Sequence, residues 1–253
     1  MIAEPKAMTE ESDLLGKVEP IVNTIMGVKK EDVQQRSAAA ETAVNWTAIG
    51  VYVGGTLAQM GLMLLALWGL QSLTQGLSGA VNVGVAIAFF ALVSVRSRLF
   101  SPLNNARTRT TYSTVNRPGW APPPLAFPII WLSIGVLRAI SSYLVWQALG
   151  QIYLTLPLAI FMMHLALGDT WNTVFTVEGR LGAAVPVVLV GPLASAIVVT
   201  ISYWNVVPLA GQLLFPMVIW LGVASALVFS IWQLNGAEPL YPLVLDKEIE
   251  TVA

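Results

Sequence analysis

Six stretches of mostly apolar residues recur along the chain, at roughly 47–70, 79–96, 122–147, 152–172, 182–204 and 208–232. A helix rises about 1.5 Å per residue and must cover about 30 Å of hydrocarbon, so about 20 apolar residues can cross a bilayer. None of the six shows sustained alternation of apolar and polar positions, as barrel strands would. Lipid admits only helices and closed barrels as spanning structures, because every backbone polar group must be satisfied internally. The pattern therefore predicts an all-α integral membrane protein with six spans.

Between and before the spans the pattern changes. Leu14, Leu15, Val18, Ile21, Val22, Ile25 and Met26 recur at helical spacing up to Gly27, which predicts a short amphipathic helix lying on the membrane or packed on the protein's own loops. Gly50, Gly54 and Gly55 in the first span form a small-residue pattern that lets helices approach closely. About 25 polar residues separate the second and third spans, a length usually associated with function or disorder. The tail from Gly236 reads as a solvated end without a site. Asn45-Trp46-Thr47 matches a glycosylation sequon, but it abuts the first span on the side expected to be inner.

Composition agrees with the spans. Hydrophobic residues make up 56% of the 253, charged residues 11%, and the mean hydropathy is +0.71; soluble domains carry about a quarter charged residues. The net charge of −1 gives no sign of a nucleic-acid partner. The placement of charge says more. With six alternating spans, twelve of the thirteen Lys and Arg fall on one side, and the connections near 71–78, 148–151 and 205–207 carry none. The positive-inside rule then puts both termini on the cytoplasmic or equivalent organellar side. A bacterial inner membrane and an organelle membrane both fit. Residues 1–45 hold eight acidic side chains and no early apolar core, unlike a secretory signal or an acid-poor transit peptide. There is no cysteine, which excludes disulfide and thiol chemistry, and a single histidine excludes a multi-histidine metal centre.

Seven of the nine tryptophans fall between residues 120 and 232. Interfacial belts explain part of this, but the local contexts are more specific. Arg117-Pro118-Gly119-Trp120-Ala121-Pro122-Pro123, with Trp131 following, resembles the K/R-P-x-W-x-P-P loop of the TspO/MBR family, the tryptophan-rich sensory or translocator proteins also called peripheral benzodiazepine receptors. Ser142-Tyr143-Leu144-Val145-Trp146 matches that family's S/A-Y-L-V-W helix end. His164 to Trp171 resembles its Q-L-A-L-N-x-x-W segment, Val206 to Trp220 its V-x-P-L-A segment and the tryptophan beyond, and Leu227 to Asn235 its last helix. The resemblance covers residues 79–235. It implies a five-helix bundle, with residues 47–78 an additional N-terminal transmembrane helix, 1–46 a polar and amphipathic N-terminal region, and 236–253 a polar tail. The chain departs from the pattern at Gly168, Asp169, Met217, Phe229 and Gln233. The last two replace the tyrosine and arginine of a sterol-associated motif.

The resemblance implies that Trp131, Trp171 and Trp220 face a pocket for tetrapyrroles, sterols or flat aromatic drugs, lidded by Arg117, Pro118, Trp120, Pro122 and Pro123. The plain alternative is that these tryptophans are core filler or interface anchors. Arg138 stands seven residues after Trp131, on the same helical face and within a span, where a charge is costly unless it is paired or hydrated. Asp169 is its candidate counter-ion, and a ligand carboxylate the other. His164 is either a hydrogen-bonded core residue or an axial ligand to a tetrapyrrole metal. No Walker loop, dinucleotide fingerprint, nucleophile elbow or metal-ligand cluster is present. The resemblance implies at most light-dependent porphyrin breakdown.

The expected function is binding of a tetrapyrrole (porphyrin, haem or chlorophyll) or a similar flat hydrophobic small molecule, for sensing, transport or disposal. The alternative is a structural or pigment-holding subunit of a larger membrane complex. The partners expected are the lipid bilayer and that small molecule, with a homodimer and a larger complex both open as assemblies. A secondary transporter is the weakest reading, because no pair of broken helices repeats along the chain.

Overall fold

The computed structural model describes residues 39–103 and 114–245. The expected amphipathic helix at 14–27 and the run 104–113 lie outside the described residues. Strand β1 (Ala39–Val44) leads into helix α1 (Trp46–Leu73). Helix α2 (Gly79–Arg96) runs on through a 3-10 turn, Ser97–Phe100. Then come α3 (Ala126–Ala148), α4 (Leu156–Asn172), α5 (Leu181–Val206), α6 (Pro208–Leu234) and strand β2 (Leu243–Leu245).

Among the described residues, five helices are long and apolar enough to cross a membrane: α1, α2 with its extension to Phe100, α3, α5 and α6. The expected span at 152–172 is helix α4, which has 17 residues and continues as a π-helical turn, Thr173–Val177. Its apolar run is broken by His164 and Asp169, both buried. The outward faces fit lipid: Trp46, Leu57, Leu65 and Trp68 on α1 and Ile219 on α6 are exposed, as apolar surface on a soluble domain would not be.

Local chemistry sets the ends. The Asn45 side chain accepts a hydrogen bond from the Ala48 backbone N–H at 2.8 Å and caps α1. Asn45 is 9% exposed, so the sequon is used as a helix cap. Helix α3 ends where Gly150 takes φ 72° and the Gln151 N–H returns to the Trp146 carbonyl at 2.9 Å.

Close helix approach occurs at other glycines than expected. A Cβ added at Gly135 would lie 3.1 Å from the Val95 side chain, and one at Gly211 only 2.6 Å from Trp204 Cβ. Those glycines bring α3 onto α2 and α6 onto α5. Among the described residues, a Cβ at Gly50 or Gly54 would meet nothing within 4 Å, while Gly55 is close-packed against Leu103.

The extra helix is held by Met63 and Leu67 in the apolar core and by a line of polar contacts. Tyr52 donates to Glu178, the hydroxyls of Thr56 and Thr170 lie 2.6 Å apart, and Gln59 Nε2 donates to Asp169 Oδ2 at 2.7 Å. These positions recur at i, i+4 and i+7, one stripe of a helix. At the other end of α1, Gln71 Oε1 accepts from the Tyr153 N–H at 2.7 Å.

The tail is not a free end as far as Leu245. Strands β1 and β2 pair antiparallel, with Ala39 opposite Leu245 and Val44 opposite Leu243. The chain thus enters and leaves the helical bundle at the same end. Glu238 accepts from the Gly182 N–H at 2.8 Å, its carbonyl accepts from Trp232 Nε1 at 2.7 Å, and Arg180 donates to the Leu243 carbonyl. A Cβ at Gly182 would overlap the Pro239 carbonyl oxygen, so glycine is required where the tail crosses α5.

Candidate functional site

Trp131 and Arg138 lie two turns apart on one face of α3, and the Arg138 guanidinium sits 5.9 Å from the Trp131 ring centroid, a cation–π distance. Its Nη2 lies 2.9 Å from His164 Nε2 on α4, and its Nε donates to Met217 Sδ on α6 at 3.0 Å. Met217 replaces the tyrosine that the family pattern leads one to expect, and it supplies a soft acceptor to the cation.

His164 is 1% exposed. Its Nδ1 lies 2.8 Å from Ser195 Oγ, and Ser195 Oγ donates to the Gly191 carbonyl at 2.6 Å. With its proton spent on Gly191, the serine oxygen accepts the Nδ1–H. The Nε2 lone pair then accepts from Arg138, which gives a neutral imidazole with its proton on Nδ1. An axial metal bond from Nε2 would require Arg138 to withdraw. Gly191 and Pro192 sit in a π-helical turn, Leu189–Leu193, within α5. Pro192 has no N–H for the helix ladder, and such widened turns free carbonyls for side chains.

The tryptophans divide into two groups. Trp131 and Trp220 meet edge to face with centroids 6.5 Å apart, and Phe127 meets Trp220 at 5.7 Å. Trp171 is stacked on Phe175 at 5.6 Å, within a neighbouring cluster built from Val174, Leu181, Leu227 and Ile231. Phe127 packs against that cluster too, and so links the groups. The indole N–H groups of Trp171 and Trp220 are buried and have no hydrogen-bond partner among the described residues. An unpaired buried donor costs roughly 1–3 kcal/mol, so each is a place where a bound acceptor would gain.

The proline-rich loop is pinned at its base. Asn116 N–H donates to Asn235 Oδ1 at 3.0 Å and Asn235 Nδ2 donates to the Asn116 carbonyl at 2.9 Å, tying the loop to the end of α6. Turns follow from Ala121 N–H to the Pro118 carbonyl at 3.0 Å and from Ala126 N–H to the Pro123 carbonyl at 2.9 Å. Arg117, Trp120 and Pro123 are exposed, and Pro118 and Pro122 half-buried. Trp120 is 52% exposed.

Asp169 takes partners other than the expected Arg138. Its Oδ2 accepts from Gln59 Nε2 at 2.7 Å and Ser97 Oγ at 2.6 Å. It stands five residues beyond His164, which turns it about 140° around the helix, toward α1 and the end of α2. An added Cβ at Gly168, its neighbour, would touch nothing within 4 Å.

The structure thus brings Trp131, Arg138, His164 and Trp220 together, with Trp171 alongside and Asp169 apart. Phe127, Ser195 and Gln59 belong to these arrangements and were not singled out by sequence pattern, while Met217 stood out only as a departure from the family pattern. A mid-span glutamine is the one of the first three that carries a sequence signal, because a polar side chain there needs a partner.

The sequence profile of the TspO/MBR family matches residues 85–233. The chain is 34% identical to Protein CrtK of Rhodobacter capsulatus over 128 residues, 50% of this chain and 79% of that protein. It is 32% identical to the translocator protein of Homo sapiens over 127 residues, 49% of this chain and 74% of that protein. With the tryptophan-rich sensory protein of Cereibacter sphaeroides the identity is 31% over 128 residues, 51% of this chain and 78% of that protein. Helix α1 and strand β1 precede the matched residues. A match over more than half of the chain, on the helices that carry Arg138, His164 and the clustered tryptophans, makes this protein a member of the TspO/MBR family.

Proposed function

We propose that this multi-pass membrane protein binds a tetrapyrrole or a similar flat hydrophobic molecule beside Trp131, Arg138, His164, Trp171 and Trp220, in the service of sensing or transport. The carrying observation is the pair of buried indole N–H groups on Trp171 and Trp220 that have no partner among the described residues, together with a half-buried guanidinium over the Trp131 ring. Indole faces suit flat rings, the N–H groups suit ring substituents or carboxylates, and the cation suits a propionate. The names of the relatives, translocator and sensory protein, favour the same reading. Protoporphyrin added to the purified protein should quench its tryptophan fluorescence saturably, and Trp131→Phe should weaken that quenching. Quenching that rises without saturation, or not at all, would overturn the proposal.

A second reading, an accessory subunit of a larger membrane complex, draws on α1. This helix stands outside the family match and turns Gly50, Gly54 and the exposed Val53 and Leu57 outward. Native-gel sizing after gentle solubilisation separates the two: a monomer or dimer favours the first, co-migration with other subunits the second.

We read residues 79–235 as the ligand-binding unit, 47–78 as an added transmembrane helix, and 1–46 and 236–253 as flanking regions on the Lys- and Arg-rich inner side. A sixth crossing, by α4, follows in this reading, since paired strands β1 and β2 at one end of the bundle require an even number of crossings. The chain has no cysteine, so single cysteines report cleanly. Ile152→Cys and Leu240→Cys should react with an impermeant maleimide from opposite sides of a sealed vesicle; labelling from the same side would remove the sixth crossing.

A further inference from the structure

A cavity lies on the opposite face of α6 from the aromatic cluster. At Gly211 the turn between α5 and α6 closes so tightly that an added Cβ would lie 2.7 Å from the Trp204 backbone. Away from that contact the two helices diverge and leave a groove of about 330 Å³. Its walls are Ile197, Ile201, Trp204 and Phe215, with Thr200 and Asn205 as its polar members. Trp204 and Phe215 meet edge to face at 6.1 Å. Ile201 is 56% and Phe215 51% exposed, and both stand on membrane-length helices, so the mouth of the groove opens sideways into lipid.

Thr200 is 6% exposed and its hydroxyl has no hydrogen-bond partner among the described residues. Other hydroxyls on α5 and α6 return to the carbonyl one turn back: Ser195 to Gly191, Ser225 to Leu221 and Ser230 to Ala226. Thr200 does not, although a helical threonine has two accessible rotamers and one of them allows that bond. The residue lies about 9 Å along the helix from its end at Val206, below the depth of lipid ester groups. A ligand that satisfies it must be almost wholly apolar, flat enough for two aromatic walls, and must carry an acceptor oxygen within the hydrocarbon layer.

We propose that the groove between α5 and α6 binds the ring of a lipid-soluble quinone, with a ring carbonyl accepting from Thr200 and the prenyl tail lying along Ile201 and Ile197. A fatty acyl chain offers Thr200 no acceptor at that depth. A sterol holds its hydroxyl at the interface and presents only hydrocarbon there. The site is independent of the tetrapyrrole reading.

The test uses the full-length protein in liposomes with a photoreactive azido-quinone, and peptide mapping of the label. Saturable labelling within residues 197–218 is expected, displaced by decylubiquinone but not by cholesterol or oleate. Thr200→Val should raise the half-saturating concentration about tenfold, the size of one lost hydrogen bond to a buried group. Ile201→Trp, which fills the groove from a lipid-exposed position, should abolish the labelling. Both variants should leave protoporphyrin quenching unchanged, so a failure of either site is visible on its own. Labelling that grows linearly with quinone, that cholesterol or oleate displaces equally, or that neither variant alters would overturn the proposal.

Discussion

Helix α4 carries two buried polar centres five residues apart, and they are built for different ends. His164 faces inward, to Ser195 and Arg138, among tryptophans that keep unpaired N–H groups. Asp169 faces outward, to Gln59 and Ser97, in a seam that fastens a helix outside the family match to the helices within it. The first centre retains donors for something else, while the second spends the Asp169 carboxylate on holding helices together and leaves only an acceptor, Gln59 Oε1, unpaired. In a bilayer both are expensive unless satisfied, so the difference lies in what satisfies them.

Substitutions can break or sharpen that contrast. The largest effect belongs to the seam: Asp169→Ala leaves the Ser97 hydroxyl unanswered and the Gln59 amide with only its 3.2 Å bond to the Ser97 carbonyl, and should cost about 3 kcal/mol of stability, read as an earlier thermal unfolding transition in detergent. Porphyrin affinity of the folded fraction should not change. An equal loss of affinity would mean that the two centres are one. The double variant Gln59→Leu with Asp169→Leu should recover part of the stability, because apolar replacement of both partners removes the Gln59 amide with the carboxylate and leaves the Ser97 hydroxyl to be met.

Arg138→Gln comes next and should show the opposite balance, an affinity loss of about tenfold for a propionate-bearing porphyrin, with a stability change of about 1–2 kcal/mol. Paired titrations with protoporphyrin and its dimethyl ester check the cause, since the ester should bind both forms alike. Trp220→Phe removes an unpaired N–H while keeping an aromatic ring beside Phe127 and Trp131. It should weaken porphyrin binding several-fold, about the worth of one neutral hydrogen bond. The smallest effect is expected at Gly54→Ala, within about 0.5 kcal/mol, because an added Cβ there touches nothing. A large effect in the native membrane, absent in detergent, would show that this face of α1 is occupied by a partner.

Much of the bundle was legible in the linear pattern. Five of the six expected spans appear as membrane-length helices near their expected positions, since the length of an apolar run and the thickness of a bilayer are directly linked. The proline-rich entry before Trp131 was also legible as a helix start, and α3 begins at Ala126 within it. The glycine pattern misled: spacing marks where helices could approach, but Gly135 and Gly211 make the close crossings. Arg138 and Asp169 misled in another way. Both are intramembrane charges, and their signs invite a pairing, but 140° of helix rotation separates Asp169 from the face that carries His164.

What the sequence determined by itself was the membrane, the family and the list of costly groups. Each of these follows from local length, composition or motif, which need no knowledge of neighbours. Tertiary structure alone decided how the costs are met. Gln59 reaches Asp169 across 110 positions, Ser195 sets the tautomer of His164, and the two ends of the chain join in one small sheet. Hydrogen bonds act over about 3 Å of space and take no account of separation along the chain, so their partners become known only when the helices are packed.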